Sequence, residues 1–587
     1  MSPNGVEFIL ACMARRFDGS LERLTPRSGV CKSSRPVSSP SVPASATGSL
    51  AIDIRQLPWM RRLATDYAFA FDGLSSFYAG DPASPEAWRA VIAQIHAGVP
   101  RALPALADLL TAQQTAREAP AAARAAAATF ADPKTVAIVT GQQAGLFGGP
   151  LYTLHKAITA IKLAARVSAE HGVPAVAVFW IDSEDHDWKE VRSCTVLDDD
   201  QRPHTVTLGE LDGAGEQSVA RLRLEGQGQA AVDALQATLP ATEFTPGVID
   251  MLQRAYASGR SMSQAFGRVL EHVLGPYGLV VYDASDAASK PLAADLFARA
   301  LGDPGRTSHL AAAAGEALEQ RGYHAQVTAS EQSAPLFLID GSRQAIRWRD
   351  GVAVVGDREM PLADLVALAR SSPQSFSPNV LLRPLVQDTI FPTACYVGGP
   401  SELAYQGQLR QVYAHFRVPM PLVMPRASAT IVDSATLRFL DKHEVPFASF
   451  QRQDELTLNQ LLESQLPAGV EDSFSEAGRA IGERLEAVTA AARLVDSTLE
   501  GAAKATLGKM QHDLHTLHGK IVHAAKKKDE TLRRQFTRAQ QQLFPNGQPQ
   551  EREIGAVWLL NRYGPAAVDR LMELLPIDHA HHWVLTI

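Results

Sequence analysis

Four short apolar runs, "TVAIVT", "AVAVFWID", "GLVVYDA" and "ACYVGG", are spread through residues 135–435, with helical patterns between them. Runs that are apolar throughout, rather than alternating, belong to strands buried on both faces, and strands joined by helices pair in parallel. The chain is therefore restricted to an α/β fold with a covered parallel sheet. "LYTLHKAITAIKLAARV" has the spacing and length of one crossover helix.

Around this Rossmann-like core, spanning residues 49–453, the pattern changes in recognisable places. Two stretches, about residues 195–250 and 325–360, alternate with period two and read as inserted antiparallel strands. Residues 1–48 form an extension ending in the Ser/Pro-rich "SSRPVSSPSVPASATGS", with too little apolar content to offset the entropy of ordering. The expectation there is disorder. Residues 454–550 carry two amphipathic arms, one through Ile481, Leu485, Val488, Ala492, Val495 and Leu499, the other from Leu514 to Leu543. They predict an antiparallel helical hairpin, a coiled coil. Residues 551–587, with "IGAVWLLNRYGPAAVDRLMELL", are apolar enough to pack back on the core.

Lys and Arg number 56 against 63 Asp and Glu, a formal net charge of −7, which disfavours a general nucleic-acid binder and favours small-molecule chemistry. Cys12, Cys31, Cys194 and Cys395 lack the spacing of a zinc or redox pair, so neither a metal site nor a disulfide framework is expected. No run reaches the roughly 20 apolar residues that span a bilayer. "FILACMA" near the start is short and has no basic residue before it. A cytoplasmic protein without membrane contact is expected.

Three loops could carry chemistry. "TGQQAGLFGGPLYTLHK", residues 140–156, sets four glycines between a strand and a helix. Such a turn brings the backbone close to an anion while free helix N–H groups point at it. Gly141, Gln142, Gln143 and Gly145 would form the turn, with Gly148, Gly149 and Pro150 opening the helix; His155 and Lys156 follow about one turn later. Neither GxGxxG nor GxxxxGK[ST] is present, and a tight structural connection is the other reading. "FWIDSEDHDWKE" crowds Asp182, Glu184, Asp185, His186 and Asp187 at a strand end, where ligands bind in open sheets. They could hold an ammonium, coordinate Mg²⁺ with a nucleotide, transfer protons with His186, or complement a helix dipole. In "YVGGPSELAYQ", Gly398, Gly399 and Pro400 precede Ser401 as expected N-cap, then Glu402 and Tyr405. Arg383 and Arg426 follow apolar runs, and each could clamp a carboxylate or phosphate, or form a surface ion pair.

These three blocks, in this order and with the C-terminal "NRYGP", resemble the bacillithiol biosynthesis cysteine-adding family BshC over roughly residues 50–587. The resemblance implies a core similar to class I aminoacyl-tRNA synthetases, with connecting-peptide insertions and a coiled coil that supports a homodimer. It implies a ligase that joins cysteine to glucosaminyl malate through an amide bond. A carboxylate is a poor electrophile, so ATP, with or without Mg²⁺, is the expected activating cosubstrate. Catalysis would then fall to Asp182, Glu184, Asp185, His186, His155 and Lys156. Nucleotide would meet Thr140, Gly141, Gln142, Gln143, Gly145, Gly148, Gly149 and Arg426; substrate would meet Gly398, Gly399, Ser401, Glu402, Tyr405 and Arg383. His155 and Lys156 stand where synthetases carry a histidine signature, although the "HIGH" string is absent, and "PRASAT" has Arg426 but no lysine. A nucleotide-responsive binding or scaffold protein is the alternative.

Overall fold

The computed structural model describes residues 49–587 apart from 99–100, 102, 350, 465–467 and 529. The expectation for residues 1–48 falls outside the described residues. Five strands, β1 (Val136–Gln143), β2 (Ala175–Asp182), β3 (Val280–Asp283), β4 (Thr393–Gly398) and β5 (Leu422–Pro425), form the central sheet. Its order is β5-β4-β1-β2-β3 and every pairing is parallel. Successive residues feed opposite cores: Ile138, Phe179 and Ile181 enter one apolar cluster, Val139, Val178 and Trp180 the other. Burial on both faces is what the continuous apolar runs require. Strand order reverses between β1 and β4, so a crevice opens beyond their C-terminal ends.

Helix α1 (Leu151–His171) crosses from β1 to β2 against the first cluster, which Val557, Trp558, Leu559 and Leu571 of the C-terminal segment complete. A small sheet joins Ser49–Asp53, His581–Leu585 and Ser428–Ile431, so the first and last described strands meet beside the end of β5.

The second insertion is an antiparallel meander through Ser333–Asp340, Ser342–Arg349, Val352–Val355 and Arg358–Met360. The first differs from the period-two reading. Only the hairpin Ser193–Leu197 with Pro203–Thr207 is antiparallel, and helices Gly226–Thr238 and Thr245–Ala255 follow. Ala231, Val232, Leu235 and Leu239 are buried at helical spacing, and that period prevails. Further on, Ala468–Val495 and Leu499–Lys528 form the hairpin, and His518 bonds Glu471 at 2.8 Å across its antiparallel arms. The second arm begins at Leu499 rather than Leu514. Glu530–Leu543 is helical and packs on the body, where Phe536 stacks on Phe450 at 5.1 Å.

Gly141 shows how tightly the sheet edge is set. A Cβ there would lie 2.7 Å from the Trp180 carbonyl oxygen on β2 and 3.2 Å from its Cβ. Gly141→Ala should therefore destabilise the fold by about 1–3 kcal/mol through overpacking. An unchanged thermal transition in that variant would contradict the account.

Candidate functional site

The glycine-rich loop after β1 is packed, and its amides have protein acceptors. Gly145 N–H donates to Gln143 O (2.8 Å), Gly148 to Gly145 O (3.3 Å), Gly149 to Leu146 O (3.1 Å) and Leu151 to Ile554 O (2.8 Å). Phe147 N–H donates to the Tyr256 hydroxyl at 2.6 Å. Phe147, Gly148 and Gly149 all have positive φ, so the glycines permit the turn. This corrects the phosphate-cradle reading for Gly145, Gly148 and Gly149, whose N–H groups are already engaged inside the protein. Thr140 is likewise structural, its hydroxyl bonded to Val397 O of β4 at 2.8 Å.

One turn into α1, Lys156 is buried with all three ammonium protons directed. They meet Gly141 O at 2.9 Å, Gln142 Oε1 at 3.0 Å and the Glu402 carboxylate at 2.6 Å. It therefore fixes the crevice floor rather than reaching outward. Glu402 also accepts from Gly399 N–H (2.7 Å) and from the Tyr396 hydroxyl (2.5 Å). Burial would raise its pKa, but Lys156, Tyr396 and the Gly399 amide outweigh it and hold it below the ordinary value. Gly399, not Ser401, stands at the N-cap of Pro400–Gln406, which leaves Ser401 exposed.

His155 points the other way. Its Nδ1 lies 3.2 Å from Glu551, whose two oxygens also take Arg426 bidentately at 2.7 and 2.8 Å, Ser428 Oγ at 2.9 Å and Ala429 N–H at 3.2 Å. Burial pushes the His155 pKa down, so its ring is neutral. Burial opposes ionisation of Glu551 too, yet Arg426 and His155 hold its pKa well below the usual carboxylate range. Arg426 thus has its guanidinium engaged, although it lines a cleft of about 300 Å³ together with Gly398 and Ser401.

The acidic block separates into distinct tasks. Glu184 is buried and paired with Lys290 at 2.5 Å. Asp187 caps Trp188–Val191. Asp185 accepts from Gln143 Nε2 at 2.6 Å and His186 N–H at 2.8 Å, lies 3.6 Å from Arg343, and has His186 Nδ1 at 3.4 Å. These partners overcome burial and depress its pKa, while burial and the Asp185 charge raise that of Asp182 to about 6. Two carboxylates with diverging acidity can play two roles. Arg383 stands near them between the Trp180 and Tyr396 rings, each 5.7 Å away. Its side-chain bonds go to neutral acceptors, Gln387 at 3.2 Å and the Tyr405 hydroxyl at 3.3 Å.

Sequence reading brought forward none of Glu551, Arg343 and Lys290. Arg343 reaches the strand ends from the inserted meander, aligned by Ser377 Oγ and Pro378 O and stacked on Phe337. No local motif marks it.

A parallel sheet ordered 3-2-1-4-5, with a charged crevice at its switch point and a helical hairpin appended, defines a Rossmann-like α/β protein with a C-terminal coiled coil. The chain belongs to the BshC family: residues 50–427 match "Bacillithiol biosynthesis BshC, N-terminal Rossmann-like domain" and 429–587 its "C-terminal coiled-coil domain". It is 36% identical over 530 residues to a protein of Salinibacter ruber, covering 89% of this chain and 96% of that one. It is 32% identical over 490 residues to a protein of Chlorobaculum tepidum, covering 80% and 86%. A third relative, from Symbiobacterium thermophilum, is 35% identical over 463 residues, covering 76% and 83%. Each bears the name "Putative cysteine ligase BshC". Among the described residues no helix is long and apolar enough to cross a membrane.

Removing one partner of a buried ion pair leaves an uncompensated charge, so Glu551→Ala should cost about 3–5 kcal/mol. The depressed pKa gives the sign with pH. The Glu551 contribution is complete above the unfolded glutamate value, about 4.3, and is lost as pH falls through the lower folded value. Glu551→Gln should therefore flatten the acid limb of stability measured by denaturant titration, and an identical limb in both proteins would refute the assignment.

Proposed function

We propose that the chain is an ATP-dependent cysteine ligase that forms an amide between the carboxyl of cysteine and the amine of glucosaminyl malate. The relatives' name supports the cysteine ligase reading. The observation that carries it is Arg383, bonded among the described residues to the neutral acceptors Gln387 and Tyr405, close to a carboxylate pair of diverging acidity. An amino acid presents one charge of each sign on adjacent carbons, and this arrangement offers the complement. Arg383 would hold the cysteine carboxylate and the ionised Asp185 its ammonium. A carboxylate oxygen must become part of a leaving group before an amine can displace it. Attack of that oxygen on the ATP α-phosphorus gives cysteinyl adenylate and pyrophosphate. Attack by the acceptor amine then forms the C–N bond, AMP departs with its electron pair, and Asp182 takes the amine proton. Magnesium enters this reading only as the nucleotide's counter-ion.

Incubation of the purified protein with cysteine, ATP and glucosaminyl malate should yield the amide, AMP and pyrophosphate by mass spectrometry. The rate should fall as pH drops through about 6, where Asp182 becomes protonated and cannot accept. Asp182→Asn should abolish product while keeping the thermal transition. Substrates recovered unchanged with wild-type protein would move the reading to a nucleotide-responsive binding protein.

Assembly as a homodimer through the hairpin is part of the same proposal. Val488, Leu494, Val495 and Leu517 are 54, 90, 82 and 50% exposed on it, and a symmetric pair is the common way to cover such residues. Light scattering should give twice the chain mass at micromolar concentration; a monomer mass would remove the idea.

A further inference from the structure

Within the core stands a second, much smaller cavity of about 10 Å³, room for one group the size of a water molecule. Trp180 of β2, Tyr282 of β3 and Ala293 form part of its wall, Val386 and Ile390 of helix Arg383–Ile390 another part, and the Glu184–Lys290 pair lines it as well. Every lining residue is buried. The wall adjoins the groups assigned to the substrate. Arg383 stands 5.7 Å from the Trp180 ring, and Val386 and Ile390 follow it by three and seven residues, which puts all three on one helix face. Asp182 follows Trp180 by two residues on β2 and so stands on the same side of the sheet. Trp180 also carries a buried indole N–H that has no acceptor among the described residues.

Resting on the ligase reading, we propose that this cavity takes the sulfhydryl of the cysteine substrate and sets the length of side chain that the protein accepts. With its carboxylate on Arg383 and its ammonium on Asp185, an amino acid has its side chain left to place. The cavity has room for one heavy atom, which is what cysteine carries beyond its β-carbon. Sulfur is polarizable, packs well against aromatic rings and accepts a hydrogen bond weakly, which matches the Trp180 and Tyr282 rings and the Trp180 N–H. Alanine would leave the cavity without that atom, and homocysteine would overfill it by one methylene. Buried walls yield little, and one methylene in an apolar pocket changes affinity about 10- to 200-fold.

The test is calorimetric titration of the full chain with L-cysteine, L-alanine and L-homocysteine under reducing conditions, repeated with Val386→Ala, which widens the cavity, and Ala293→Val, which narrows it. The wild type should bind cysteine at least about tenfold more tightly than either analogue. Val386→Ala should cut the preference over homocysteine about tenfold, and Ala293→Val should weaken cysteine about tenfold while alanine stays within about twofold. Retained alanine binding separates a reshaped cavity from a damaged fold, because a misfolded variant would lose alanine as well. No cysteine binding by the wild type, equal affinities for the three ligands, or a preference that both variants keep within about twofold overturns the proposal. Binding is read without turnover. Cysteine selected as expected, with no amide formed in the product assay, sinks the ligase reading alone; amide formed by a protein whose variants keep their preference sinks the cavity alone.

Discussion

A single carboxylate, that of Glu551, sits out of water where the C-terminal domain meets the Rossmann core. An ionised carboxylate in such a place is tolerated only if its lone pairs are met by donors of good geometry. The donors come from the core helix α1 through His155 and from the segment after β5 through Arg426, Ser428 and the Ala429 amide. The two domains cannot shift relative to one another here without baring the charge. The same segment continues into Ser428–Ile431, whose strand partner carries His582, bonded to Ser428 and Thr430. Position of the chain end, orientation of α1 and the wall of the cleft thus all follow from one desolvated anion.

The charges at the strand ends fall into two groups. Lys156, Glu402, Glu184 and Arg426 are each matched by a partner of opposite sign, and such pairs set geometry because breaking them is costly. Arg383, Asp182, Arg61 and Arg552 are not so matched. In the proposed function, Arg383 and Asp182 of the second group meet the ligand, with Asp185 beside them. A fully bonded ammonium such as that of Lys156 would have to give up a buried hydrogen bond for each one it made to a ligand.

Much of the fold was legible because continuous apolar strands and crossover helices leave few topologies open. The sheet follows directly from "TVAIV" and its successors, and the switch point follows from the sheet. The loop between Gly141 and Gly149 was harder. Glycines that free a backbone for an anion and glycines that let it pack look alike, and the partners that decide the matter, Tyr256 and Ile554, lie more than a hundred residues away. Glu551 and Arg343 left no local mark, since one charged residue in a polar stretch or an exposed-looking strand carries no period. The acidic block stands at the end of β2, but its division into cap, ion pair and carboxylates of diverging acidity depends on Lys290, Gln143 and Arg343 arriving from elsewhere.

The Lys156–Glu402 pair also has an electrostatic consequence for its neighbours. At the end of β2 stand Asp182 and Asp185, while Gly398, next to the Gly399 amide that donates to Glu402, lines the cleft. Were the lysine unpaired, its field would lower the pKa of those carboxylates, and an unpaired Glu402 would neutralise the cleft. Together the two form a compact dipole whose field falls off faster with distance than that of either charge. The pair can therefore separate an anionic edge from a cationic cleft within one crevice while altering neither, and Asp182 keeps a raised pKa although an ammonium lies buried in the adjoining floor.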